Sequence, residues 1–114
     1  MKPFRIERLE KELLRIINNA LLFKASDHRL QQVTITEVKV SSDMQFAKLF
    51  FSLLEDNADI DEWNNILTKT SGFIKKVIAD AKIMRRIPEI RFEYDNTEER
   101  ARAVESLLNS IEDK

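Results

Sequence analysis

A single glycine, Gly72, stands in a chain of 114 residues, and it falls inside a helical stripe rather than in a turn. Trp63, Ile66, Leu67 and Thr70 before it, and Ile74, Val77, Ile78 and Ala81 after it, share one face at helical spacing. A glycine in a helix interior costs about 1 kcal/mol against alanine, and Gly/Ser pairs are recurrent kink sites. The pair Ser71-Gly72 therefore predicts two helices, over about 59–70 and 72–85, that meet at a bend. The same scarcity removes whole classes of function. A phosphate-cradling Walker-type loop and a dinucleotide-binding fingerprint both need several glycines at fixed spacing.

The remaining elements are set by periodicity. Ile6, Leu9, Leu13, Ile16, Ile17, Ala20 and Leu21 place a first helix on one apolar face, ending near Phe23, with Arg8, Lys11 and Arg15 on the solvent side. Val33 to Val40 reads as a strand whose apolar phase slips from odd to even positions, which predicts a bulge near Glu37. Ser41-Ser42-Asp43-Met44 supplies turn chemistry without glycine, and 46–54 alternates as the second strand of an antiparallel hairpin. In that strand Ala47, Leu49, Phe51 and Leu53 form one face, and Phe46, Lys48, Phe50 and Ser52 the other. Asp59 and Glu62 stand at capping-box spacing before the long stripe. Pro88 ends that stripe and biases Ile87 to extended backbone. Ile90, Phe92 and Tyr94 alternate into a third strand. Asn96 and Glu99 then open a last helix carrying Ala101, Val104, Leu107, Leu108 and Ile111. The expected architecture is α+β: one domain over 1–114, with a three-stranded sheet backed by helices on one face.

Catalytic chemistry finds little to stand on. Cysteine is absent, and the only histidine, His28, sits in a polar connection between Asp27 and Arg29 and reads as a surface residue. The acids Glu55, Asp56, Asp59, Asp61 and Glu62 lack the spacing and glycine of a calcium loop, and read as a solvated, helix-capping run. No metal, no cofactor and no enzymatic activity are expected. No apolar run reaches the roughly 20 residues that span a bilayer, and the N-terminus lacks an apolar signal core, so the expected compartment is the cytoplasm.

Net charge is −1, yet the charge is polarised. Between Trp63 and Arg91 lie Lys69, Lys75, Lys76, Lys82, Arg85, Arg86 and Arg91 against only Asp80 and Glu89. On the predicted second helix of the pair, Lys75, Ala79, Lys82 and Arg86 recur at i, i+4, i+7 and i+11, a basic ridge flanked by Lys69 and Lys76. Ridges of this kind suit phosphate contacts, which supply affinity without sequence information. A solvated helix face is the competing reading of the ridge alone. Arg5, Arg8, Lys11 and Arg15 add a second basic face and favour RNA or DNA. The candidate contacts are these four with Lys69, Ser71, Gly72, Lys75, Lys76, Lys82 and Arg86. Arg85 is held apart, at the core edge and paired with a carboxylate. Phe46 and Phe50 are read as packing residues rather than as a stacking platform.

The element order resembles a KH-like domain of the second topological type, without the G-x-x-G loop of its nucleic-acid-binding members. The stretches VTITEVKVSSD at 33–43, AKLFFS at 47–52, SGFIK at 71–75 and RRIPEIRFEYD at 85–95, in that order, resemble the ribosome-binding factor A family over essentially the whole chain. That family's interhelical bend usually reads Ala-x-Gly; here it reads Thr70-Ser71-Gly72, with a threonine able to bond a carbonyl one turn earlier. The resemblance implies a non-catalytic assembly factor that binds free 30S subunits and 16S rRNA. It further implies a role in late 16S maturation, including the 5′ end, importance in cold adaptation, release by a partner such as an assembly GTPase, and a monomeric state. The alternative is a KH-like protein–protein adaptor that binds through its acidic loop and strand faces without touching RNA.

Overall fold

The computed structural model describes residues 4–55 and 57–95. Helix α1 (Phe4–Phe23) buries Ile6, Leu13, Ile17, Ala20 and Leu21 of its expected stripe, with Leu9 and Ile16 half-buried. A 3₁₀ turn over His28–Gln32 follows, started by Asp27, whose carboxylate accepts from the Arg29 N–H at 3.0 Å. Strands β1 (Val33–Val40) and β2 (Phe46–Leu53) pair antiparallel, and β3 (Glu89–Tyr94) adds parallel to β2. Between them runs helix α2 (Ile60–Ala81), capped by Asp59, whose Oδ1 accepts from the Glu62 N–H at 3.1 Å. Strand order is β1-β2-β3, and side chains of both helices join those of the sheet in one core. This is the expected α+β, KH-like arrangement. The final helix read over 96–111 lies outside the described residues.

The predicted hairpin details hold. The register slips between Ile35 and Glu37, so the extra residue of the bulge is Thr36, one position from the expected site. Thr36 Oγ1 donates to the Asp95 carboxylate at 2.6 Å, tying the bulge to the end of β3. The turn between β1 and β2 is built from side chains: the Phe46 N–H donates to Ser41 Oγ at 3.0 Å, the Gln45 N–H donates to Asp43 Oδ1 at 3.1 Å, and Met44 takes the left-handed conformation at φ 61°.

The helix pair requires correction. A single helix from Ile60 to Ala81 replaces the two expected, with Ser71 and Gly72 in its interior. The polar residues around Gly72 bond back to the helix itself: Thr68 Oγ1 to the Asn64 carbonyl at 2.7 Å, Thr70 Oγ1 to that of Ile66 at 2.9 Å, and Ser71 Oγ to that of Thr68 at 2.7 Å. The C-terminal boundary also moves, from Arg85 back to Ala81, because Lys82 turns left-handed at φ 57° and ψ 32°. Leaving the helix there lets Ile83, Met84 and Ile87 pack against the core, and a helix running into the buried Pro88 would lose a hydrogen bond and clash.

One device anchors α1. Strand β1 lies at a sheet edge, where outward-facing backbone groups need partners. Asn18 supplies two: its Nδ2 donates to the Ile35 carbonyl at 2.9 Å, and its Oδ1 accepts from the Ile35 N–H at 2.8 Å. Glu10 Oε2 accepts from the Val40 N–H at 2.6 Å. Two side chains of one helix thus stand in for a missing neighbouring strand.

Candidate nucleic-acid interface

The early end of α2 redistributes the predicted basic residues. Arg86 lies beyond the helix and Lys82 ends it, so the ridge of Lys75, Lys82 and Arg86 does not form as a continuous helical row. Lys75 is half-buried and its Nζ stands 3.4 Å from the Glu89 carboxylate, which partly neutralises it. Lys69 and Lys11 are exposed on their helices, away from the grooves described next. Ser71 is half-buried with its hydroxyl engaged by the Thr68 carbonyl, while Gly72 is exposed and a Cβ there would meet nothing within 4 Å.

The structure instead gathers bases along connected grooves. One, with a volume of about 570 Å³, lies between the two helices and is lined by Arg15, Lys24, Lys76, Glu12, Asp80 and Ile83, among others. Ile83 also borders a second groove of about 480 Å³, where Arg5, Arg85 and Arg86 converge with Leu9, Met44 and Asp43. Arg5 and Leu9 continue into a third, shallower groove with Arg8, Phe4 and Glu12, where the Arg8 guanidinium sits 5.9 Å from the Phe4 ring. Of the predicted contacts, Arg5, Arg8, Arg15, Lys76 and Arg86 therefore share one surface. Lys24 and Arg85 join it unpredicted. Arg85 is exposed and in no ion pair among the described residues, which corrects its reading as a paired residue at the core edge. Its angle on a helix misplaced it because no helix continues to residue 85.

The grooves hold those seven bases against Glu12, Asp43 and Asp80, and Glu12 is already engaged by Arg15. Asp43 is held below its ordinary carboxylate range, chiefly by the Ser41 hydroxyl and then by the Gln45 N–H. The surface offers cationic donors at several depths, with apolar floor contributed by Leu9, Ile16, Phe73 and Val77. It can take phosphates; it holds no nucleophile with an activating base. His28 is exposed, and among the described residues no cluster of three metal-ligating side chains occurs. Among them, too, no helix is long and apolar enough to cross a membrane.

On the opposite face of the sheet Phe50 is buried, as its reading as a packing residue requires, with Lys39 and Lys48 beside its ring. Phe46 departs from that reading and is 43% exposed.

The class these features define is that of KH-like α+β domains, here with a basic helical surface and no glycine-rich loop. Comparison with known proteins narrows it. The family model for ribosome-binding factor A matches residues 5–108. A ribosome-binding factor A from Staphylococcus carnosus is 34% identical over 108 residues, covering 95% of this chain and 90% of that one. One from Clostridium perfringens is 34% identical over 116 residues and covers both chains in full. The chain belongs to the ribosome-binding factor A family. Among solved structures, the crystal structure of ribosome-binding factor A from Thermus thermophilus superposes with a TM-score of 0.67 at 20% identity, over 78% of this chain and 94% of that one. A Thermus thermophilus ribosome-binding factor A homology model fitted into a cryo-electron-microscopy map of its 30S complex gives a TM-score of 0.61 at 21% identity, over 75% of this chain and 90% of that one. At those identities the likeness is one of fold.

Proposed function

We propose that this chain is a non-catalytic ribosome assembly factor that binds the free 30S subunit through 16S rRNA, using the connected grooves on its helical face. The observation that carries the reading is the convergence of Arg5, Arg15, Lys76, Arg85 and Arg86, brought from both helices and the segment after α2, onto one surface. Family membership and the 30S complex of the Thermus relative support the choice of partner. Phosphate contacts of this kind hold a folded RNA in position without reading its sequence. The factor would act by fixing rRNA helices in an assembly-competent arrangement during late 16S maturation, including the 5′ end, and most of all in the cold, where misfolded RNA rearranges slowly. Release by an assembly GTPase, a monomeric state, one domain over 1–114, a cytoplasmic location and the absence of cofactors complete the proposal.

Sedimentation of the full chain through a sucrose gradient of bacterial lysate tests it. Co-migration with free small subunits is the expected result; migration with whole ribosomes alone, or at the top of the gradient, defeats it. A filter-binding salt titration with small-subunit rRNA separates RNA binding from the adaptor alternative. Counterion release demands a steep loss of affinity with salt, whereas an adaptor gives no rRNA retention to titrate.

A further inference from the structure

The face of the sheet turned away from both described helices carries a row of three cations. Lys39, Lys48 and Arg91 are direct cross-strand partners, one on each strand, so the row crosses the whole sheet over about 10 Å at ordinary strand spacing. Like charges directly opposite one another are unfavourable in a sheet, which makes this row a place that an anion stabilises. Among the described residues neutralisation is slight: Lys39 and Lys48 each reach a carboxylate, of Glu37 and Glu93, only at 3.9 Å, and all four side chains stay about half exposed. Aromatic rings flank the row on both sides. Phe46 is 43% exposed with the Arg91 guanidinium 5.1 Å from its ring, and Phe50 lies 5.5 Å from Lys39 Nζ and 5.9 Å from Lys48 Nζ. Together they line a depression of about 500 Å³, open to solvent and mostly apolar in its walls.

We infer that this sheet face is a second RNA site, one that takes an unpaired strand: phosphates along the Lys39–Lys48–Arg91 row and a base against Phe46. Cations in a track beside an exposed aromatic ring are what single-stranded nucleic acid requires, since every unpaired base offers a π-face and a duplex hides them. Duplex RNA presents only its backbone and has no use for Phe46. The site is separate from the helical grooves, shares no side chain with them, and stands or falls independently of them.

Fluorescence anisotropy on the full chain tests the assignment, with a labelled single-stranded RNA of about 12 nucleotides and the same sequence as a duplex. Replacing the row (Lys39→Gln, Lys48→Gln and Arg91→Gln together) is expected to weaken single-strand binding about tenfold or more and to flatten its salt slope by about 2. Phe46→Ala alone is expected to weaken it about fivefold or more with the salt slope unchanged, because stacking releases no counterions. Duplex affinity should hold in both variants and fall instead in Arg5→Gln/Arg86→Gln. Circular-dichroism melts verify folding, and Phe46→Ala, a single change at an exposed position, serves if the triple variant melts early. Unchanged single-strand affinity in the sheet variants overturns the site, whether or not the groove variant loses duplex binding. So does an equal loss for single strand and duplex. Sheet variants that keep both RNA affinities but no longer sediment with small subunits would make the face a ribosomal-protein contact and equally refute the RNA assignment.

Discussion

At Gly72 the backbone is helical, its φ is negative, and a Cβ has open space around it. Gly72→Ala is therefore expected to stabilise the fold by about 1 kcal/mol, read as a rise in the urea midpoint at unchanged m-value. Gly72→Val, which a bend would have made damaging by about 1 kcal/mol or more, is expected to change stability by no more than about 0.5 kcal/mol, since valine's helix propensity lies between those of alanine and glycine. The sequence pointed to a bend because a lone glycine beside a serine has that effect in isolation. The bond from Thr70 to a carbonyl one turn earlier was legible; what was not is that Thr68 and Ser71 also direct their hydroxyls onto the helix's own carbonyls, while the apolar stripe on both sides is held by one core. Asp43 gives a pH-dependent counterpart. Its folded-state pKa lies below the ordinary 3.8, so its contribution is complete above that value and disappears as pH falls through the lowered one. Urea midpoints measured between pH 6 and about pH 2 should fall less steeply for Asp43→Asn than for the parent chain.

Among the elements, the boundary of α2 and the seating of α1 carry most of the site. The stripes of both helices, the three strands and the bulge were legible because each follows a simple period, and breaks in period mark real irregularities. Tertiary capping was not legible. Asn18 sits beside Ile17 and, like Glu10, is half-buried on a helix that is otherwise amphipathic, and only that half-burial reveals that it completes the edge of β1. Asn18→Ala removes both bonds and leaves an N–H and a carbonyl of Ile35 without that partner; a loss of about 1–3 kcal/mol in urea unfolding is expected. Asn18→Asp keeps the acceptor and loses the donor, so its loss should be distinct and larger at neutral pH, where a carboxylate faces the Ile35 carbonyl. The end of α2 was misread for a related reason: a left-handed lysine is not a recognisable stop, yet Lys82 acts as one, and every helical angle assigned past it was wrong.

For the molecule as a whole, charge distribution is the property on which the proposed function rests. Which of the basic residues meet depends on where α2 ends: the grooves recruit Lys24 and Arg85 and leave out Lys11, Lys69, Lys75 and Lys82. Arg5→Gln/Arg86→Gln should lower affinity for small-subunit rRNA and reduce the slope of log affinity against log salt by about 1 to 2, without altering the melting temperature, because both side chains are exposed and in no ion pair among the described residues. Lys69→Gln, by contrast, should leave the slope close to that of the parent chain.

The side chains that α1 lends to β1 have a further consequence, for behaviour in concentrated solution. The edge they occupy is shielded only while the helix stays seated, and the same movement that frees Asn18 and Glu10 uncovers Leu13, Ile17 and Leu21. Partial opening of this one segment would expose a strand margin together with a greasy surface, the pair of features that allows chains to add to one another edge to edge. Seating of the first helix is thus a safeguard against self-association as well as a support for the basic grooves.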